Sequence, residues 1–194
     1  MADYDPDSAL IVVDVQNDFA DPSGSLYVNG GEEVVPLVNR EIDRALDAGA
    51  LVVYTQDWHP ETTPHFQKDG GIWPVHCVQG TWGAEFYPDL KVVGEIVRKG
   101  AGGEDGYSGF TVRDPRSGAV EGTGLEPILR ARGIERLVVL GLATDYCVKE
   151  TALDGAAKGF DTTVLLEGIR AVELHPGDGD RAIDEVKRAG VEIE

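Results

Sequence analysis

Cys147 is one of only two cysteines in the chain, and its surroundings suit a nucleophile. It follows the apolar run at 137–142 and stands where Val148, Ala152, Leu153 and Ala156 begin a helical pattern, with Thr144 or Asp145 placed to cap it. A helix N-terminus carries partial positive charge and unpaired N–H groups. These lower a thiol pKa and receive the oxyanion formed when a thiolate attacks a carbonyl. The competing reading is a small buried hydrophobe, the commonest fate of a free cysteine. Two charged residues close other apolar runs: Asp14 after residues 9–13 and Lys99 after residues 92–98. Asp14 could take the thiol proton and return it to a leaving amine, acting first as general base and then as general acid. Lys99 could hold Asp14 ionised and balance charge afterwards. A salt bridge that merely ties two strand ends is the alternative, and it predicts little effect on turnover.

A second constellation is Asp57, His59, His65 and His76, which takes three of the four histidines into one stretch. Asp-x-His sets two donors on the same side of an extended chain, and a following loop can fold two more imidazoles back towards them. A single histidine there would usually be a packing residue; four donors together point to a metal. The O/N donor set suits zinc, iron or manganese, and affinity order does not choose among them. Zinc, Zn2+, is the expected ion, with Fe2+ or Mn2+ as alternatives. Cys77 beside His76 reads as packing, because its side chain should point away from a site that His76 enters, and His175 reads as surface.

The elements that must position these residues alternate β and α. Residues 9–13 and 50–55 are short apolar runs suited to buried parallel strands, the first closed by Asp14 and the second running into Asp57. Between them residues 32–48 put Val34, Leu37, Val38, Ile42, Ala45 and Leu46 on one helical face and stop at Gly49, which predicts a right-handed βαβ unit. Residues 58–90 lose both periods and read as a long functional excursion. Strands are expected at 92–98, 137–142 and 162–166, helices at 125–132, 146–158 and 180–189, and a glycine-rich loop at 100–109. The pattern predicts an α/β fold, a single domain over 1–194 built as a three-layer α/β/α sandwich around a mainly parallel, doubly wound sheet. In such sheets ligands gather at the carboxyl ends of the strands, where Asp14, Asp57, Lys99 and Cys147 all fall.

Composition narrows the partners. At 194 residues and 42% hydrophobic the chain can bury one sizeable core. A formal net charge of −18 repels a phosphate backbone or an anionic bilayer, so neither nucleic acid nor membrane is an expected partner. No stretch approaches the roughly 20 apolar residues that cross a bilayer, the N-terminus lacks a signal-peptide pattern, and two cysteines suit a reducing compartment. A cytoplasmic protein acting on a small molecule is expected.

Asp14-Val-Gln-Asn-Asp-Phe19, Asp57-Trp-His59 with His65, Trp73-Pro-Val-His-Cys-Val78, Lys99-Gly100, Tyr107-Ser-Gly-Phe110 and Ala143-Thr-Asp-Tyr-Cys-Val148 together resemble the nicotinamidase/pyrazinamidase group of the isochorismatase-like cysteine hydrolases. The blocks are short, but they occur in order over nearly the whole chain. The resemblance implies a catalytic triad of Asp14, Lys99 and Cys147, and a metal held by Asp57, His59, His65 and His76 that binds the pyridine nitrogen of the substrate. It implies conversion of nicotinamide to nicotinate and ammonia through a thioester on Cys147, a step of NAD salvage, with pyrazinamide as a second substrate. It further implies a ring pocket of Phe19, Trp73, Tyr107 and Tyr146, an oxyanion hole from the N–H groups of Ala143 and Cys147, a cis peptide at Leu142–Ala143, and room for a homo-oligomer. The sequence departs from the family pattern in its glycine-rich, acidic stretch between Lys99 and Tyr107, and in Tyr146, which is histidine in some relatives. Competing readings are a metal-free amidase or other isochorismatase-like hydrolase, a metal-activated water with Cys147 only packing, and a non-enzymatic metal-binding module.

Overall fold

The computed structural model describes residues 2–194. In chain order it contains β1 (Ser8–Val13), α1 (Asn17–Ala20), α2 (Val35–Asp47), β2 (Leu51–Asp57), β3 (Glu95–Lys99), β4 (Thr111–Arg113), β5 (Val120–Gly122), α3 (Leu125–Ala131), β6 (Arg136–Leu142), α4 (Lys149–Ala157), β7 (Asp161–Arg170), α5 (Asp178–Arg188) and β8 (Glu192–Ile193). Six strands form one sheet in the order β3-β2-β1-β6-β7-β8, and every pairing in it is parallel. From β1 the chain steps outward one way to β2, and from β6 it steps the other way to β7. With right-handed crossovers, those opposite steps put α2 and α4 on opposite faces, giving the α/β/α sandwich.

The central strands are apolar because both of their faces are covered. All six residues of β1 are buried, and Leu10, Ile11, Val12 and Val13 have no exposed surface. Helix α2 lays Val35, Val38, Ile42 and Ala45 against the sheet, whereas Leu46, expected on that face, is 41% exposed. At Gly141 the φ angle is +118°, and a Cβ there would lie 2.2 Å from the Val13 carbonyl oxygen, so only glycine lets β6 approach β1 this closely. None of the helices among the described residues is long and apolar enough to cross a membrane.

Residues 58–90 hold no strand, only two single-turn helices and isolated bridges such as His59 with Val78 and Phe66 with Trp73. Two strands have other bounds than the apolar runs suggest, and one hairpin is new. β3 starts at Glu95, where its pairing with β2 begins opposite Val53, and Val92 and Val93 before it are exposed. β7 runs on to Arg170 through a register break opposite Val139–Gly141, with Leu166 and Glu167 turned outward, which breaks the apolar run the eye follows. The small antiparallel β4–β5 hairpin was not expected, since three-residue, largely exposed strands carry no usable period.

Candidate active site

The sheet order places the carboxyl ends of β3, β2, β1 and β6 side by side, so Lys99, Asp57, Asp14 and the turn after Leu142 become neighbours. Lys99 pairs in register with Asp57, and its ammonium touches the Asp57 carboxylate. Lys99 Nζ also lies 2.8 Å from Asp14 Oδ2 and 3.5 Å from Cys147 Sγ. A carboxylate oxygen of Asp14, one of Asp57 and the Cys147 sulfur all fall within 4.8 Å of one another, so Lys99 sits among three acidic groups. Asp14 has φ +47°, a left-handed backbone uncommon outside glycine, and Thr55 Oγ1 donates to its Oδ1 at 2.7 Å.

Burial sets the proton positions. It works against the charge of Lys99, yet Asp14 and Asp57 beside it hold the ammonium well above its ordinary pKa. Burial raises Asp14 above the usual carboxylate range against the pull of Lys99, with Asp57 adding to the rise. Asp57 is also buried, but it faces His59 and His76 as well as Lys99 and is held below that range. Burial pushes the Cys147 thiol well up, opposed by Lys99. This corrects the expectation of a thiolate favoured by a capped helix start. Residues Thr144–Val148 form a π-helical turn ahead of α4, without a side-chain cap. Asp145 instead accepts the N–H groups of Val172 and Glu173, each at 2.9 Å, tying the β7–α5 connection to this turn. Cys147 therefore rests as a thiol and needs a base.

The three imidazoles of His59, His65 and His76 converge, each with a ring nitrogen within 4.8 Å of the others, and all three are buried. His76 Nδ1 lies 2.7 Å from the Pro74 carbonyl oxygen, and His65 Nδ1 lies 2.7 Å from Asp105 Oδ1. Both partners only accept, so Nδ1 of each ring donates, which leaves Nε2 as the atom that can serve as a ligand. Asp57 Oδ2 is 3.7 Å from His59 Nε2 and 3.9 Å from His76 Nε2, too far for hydrogen bonds and suited to common ligation. Both ring nitrogens of His59 are buried without a hydrogen-bond partner among the described residues, a cost that a bound cation would relieve at one of them. Gly100 makes space for that ring: at φ +78°, a Cβ there would lie 2.6 Å from His59 Nδ1. The donor set fits a divalent metal ion. Cys77 is apart from it, with its sulfur against the Gly83 carbonyl, and His175 is exposed.

Both clusters open on one narrow pocket, lined by Phe19, Trp73, Tyr107 and Tyr146 together with Asp57, His65, His76, Ala143 and Cys147. Trp73 and Tyr146 meet edge to face at 4.8 Å, Tyr107 and Tyr146 at 5.1 Å, and Trp73 Nε1 donates to the Tyr107 hydroxyl at 3.0 Å. Burial pushes the Tyr107 hydroxyl pKa up to about 12, so it stays protonated. The result is a narrow aromatic slot fit for a flat ring. The peptide Leu142–Ala143 is cis.

The isochorismatase-domain family model matches residues 8–193. The chain belongs to the isochorismatase family. Among relatives of this family member, the nicotinamidase of Escherichia coli is 36% identical over 97% of this chain and 94% of its own length. The pyrazinamidase of Pyrococcus horikoshii, solved in complex with zinc, superposes with a TM-score of 0.87 at 43% identity, covering 97% of this chain and 99% of that one. The PnC1 structure from L. infantum, in complex with nicotinate, gives a TM-score of 0.85 at 36% identity, covering 96% and 91%.

Several residues of this isochorismatase-family site were not singled out beforehand. Gln16 clamps Asp57, donating to its carbonyl and accepting its N–H, both at 2.8 Å. Asp105 holds His65, and Leu26 and Val172 complete the pocket wall. Gln16 lay inside a quoted motif and could have been found there; the pocket walls of Leu26 and Val172 carry no chemical signal.

The histidine cluster gives a pH prediction for the metal-free protein. Burial lowers the His76 pKa to about 4 from 6.5, with Asp57 opposing. Between those values the unfolded chain binds a proton that the folded chain does not, so stability rises with pH across the window. The urea midpoint of chelated protein should therefore fall as pH drops from about 6.5 through about 4, and a flat midpoint there would contradict the burial of a neutral His76.

Proposed function

We propose that this chain is a nicotinamidase, hydrolysing nicotinamide to nicotinate and ammonia in the cytoplasm as a single domain, and accepting pyrazinamide in the same slot. The observation that carries this reading is that Cys147, His65 and His76 line one and the same aromatic pocket. Both cysteines are free, as suits a reducing compartment. The acidic surface argues against nucleic acid or anionic membrane as a partner.

In this reading Asp14 takes the Cys147 proton as the sulfur attacks the carboxamide carbon. Lys99 keeps Asp14 ionised beforehand and balances the charge that moves onto sulfur. The Ala143 and Cys147 N–H groups receive the carbonyl oxygen as it becomes an oxyanion; no backbone carbonyl accepts from the Ala143 N–H among the described residues. Asp14 then gives its proton to the departing nitrogen, ammonia leaves and a thioester remains on Cys147. Water, deprotonated by Asp14, attacks the thioester, nicotinate departs and the thiol is restored. Asp57, His59, His65 and His76 would hold a divalent ion, zinc by preference, which when bound supplies a Lewis acid for the ring nitrogen. Phe19, Trp73, Tyr107 and Tyr146 confine the ring so that its carboxamide meets the sulfur.

The test is ammonia release from nicotinamide by the protein as purified, after chelation, and after zinc is restored. Release should fall on chelation and return with zinc. No release from any pyridine carboxamide would sink the proposal, and release indifferent to chelation would favour a metal-free amidase.

A further inference from the structure

The glycine-rich, acidic stretch after Lys99 lies outside the family pattern, and one of its carboxylates reaches the histidine cluster. We propose that Asp105 is a positioning residue of the metal centre, fixing His65 with its proton on Nδ1 and its Nε2 lone pair towards the cation. The inference rests on the metal-binding part of the function proposed above.

His65 comes from a loop without regular structure, and its ring stacks on His59 at 4.8 Å and 21°. Stacking fixes the plane of an imidazole but not which nitrogen faces inward. That choice falls to the hydrogen bond with Asp105 Oδ1, the one bond the ring makes among the described residues. For His76 the same task is done by the Pro74 carbonyl, a main-chain group no substitution removes. Asp105 is thus the side-chain handle on the cluster. A carboxylate in this position also raises the donor strength of the imidazole for a cation.

Asp105 is itself braced. Its Oδ1 accepts the Gly106 N–H at 2.8 Å, and Arg113 donates to Oδ2 at 3.1 Å. The main chains of Asp105 and Arg113 exchange two hydrogen bonds, at 2.7 and 2.6 Å. Thr63, two residues before His65, donates to the Gly103 carbonyl at 3.2 Å and accepts the His65 N–H at 3.3 Å. The β4 strand, the acidic loop and the histidine loop therefore form one connected frame, and Asp105 is the point where it meets a ligand. The rival is a purely structural tie, in which Asp105 only anchors the loop to Arg113.

The experiment is a competition titration of zinc between the full-length protein and a chromogenic chelator, with the visible spectrum of the cobalt-substituted protein as a second readout. Four variants are compared: Asp105→Ala, Asp105→Asn, Arg113→Ala and His59→Ala. Asp105→Ala should weaken zinc binding by about 10- to 100-fold and alter the cobalt spectrum. Asp105→Asn, which keeps an acceptor oxygen but no charge, should fall between it and wild type. Arg113→Ala loosens the loop while sparing the carboxylate, and should change affinity less than Asp105→Asn does. Wild-type affinity in both Asp105 variants, or a loss in Arg113→Ala as large as in Asp105→Ala, would overturn the assignment. If instead His59→Ala leaves zinc affinity unchanged, the metal site itself is wrong, a failure told apart from the first by that variant alone.

Discussion

Changing Cys147 to alanine is expected to reduce ammonia release from nicotinamide by at least about 10⁴-fold while zinc content stays at the wild-type level. The size follows from chemistry that has no substitute: without sulfur there is no acyl acceptor, and a water in its place would need to be both positioned and activated. The zinc content follows from geometry, since the sulfur is not part of the histidine group that fits a metal. The two readouts separate the competing mechanisms. Were a metal-bound water the nucleophile, with Cys147 merely filling space, the alanine variant would keep most of its turnover. Were the variant inactive because it misfolded, zinc would be lost as well. Activity surviving the substitution at more than a few per cent defeats the cysteine mechanism. Because the thiol pKa is raised by burial, the attacking thiolate must be made in the pocket at each turnover, which makes the base next to Cys147 as necessary as the sulfur.

The convergence of Asp14, Asp57, Lys99 and Cys147 was legible in the sequence because the first three close strands and Cys147 follows another, and parallel sheets gather strand ends. Asp14, Asp57 and Lys99 follow from that rule, with no knowledge of strand order. What the linear pattern could not give was state. Cys147 at a helix start suggests a lowered pKa; the structure buries the sulfur in a π-helical turn, where desolvation outweighs the pull of Lys99. Thr144 and Asp145 look like caps, but Asp145 is drawn to the N–H groups of Val172 and Glu173, a contact across 27 and 28 residues that no local rule contains. The aromatic wall was reachable only through the family resemblance, because Trp73 and Tyr107 come from two loops and Tyr146 from the π-helical turn, and their convergence depends on how the long loops fold. Asp105 lies in a stretch noted only for its composition, and its contact with His65 could be seen only in the structure.

The base can be tested by a pair of substitutions whose effects on stability and activity run in different directions. Among the protein groups at the strand ends, two carboxylates share one ammonium, and the pKa of Asp14 is raised by burial and by Asp57. Asp14→Asn removes a poorly solvated charge and leaves Lys99 paired with Asp57, so the urea midpoint should hold or increase, a change within about 1 kcal/mol of wild type. The same variant should lose about 10²- to 10⁴-fold in kcat, the range for a positioned general acid–base. Lys99→Met does the reverse to stability: it strands two buried carboxylates and should cost about 3–5 kcal/mol. A pH profile separates chemistry from scaffolding. Turnover requires ionised Asp14, so wild-type kcat/KM should climb with pH through a midpoint above the ordinary carboxylate range, and residual activity in Asp14→Asn should lack that limb. If Asp14 and Lys99 only tie two strands together, Asp14→Asn will keep its activity and its acid limb, and the role assigned to Asp14 passes to another group.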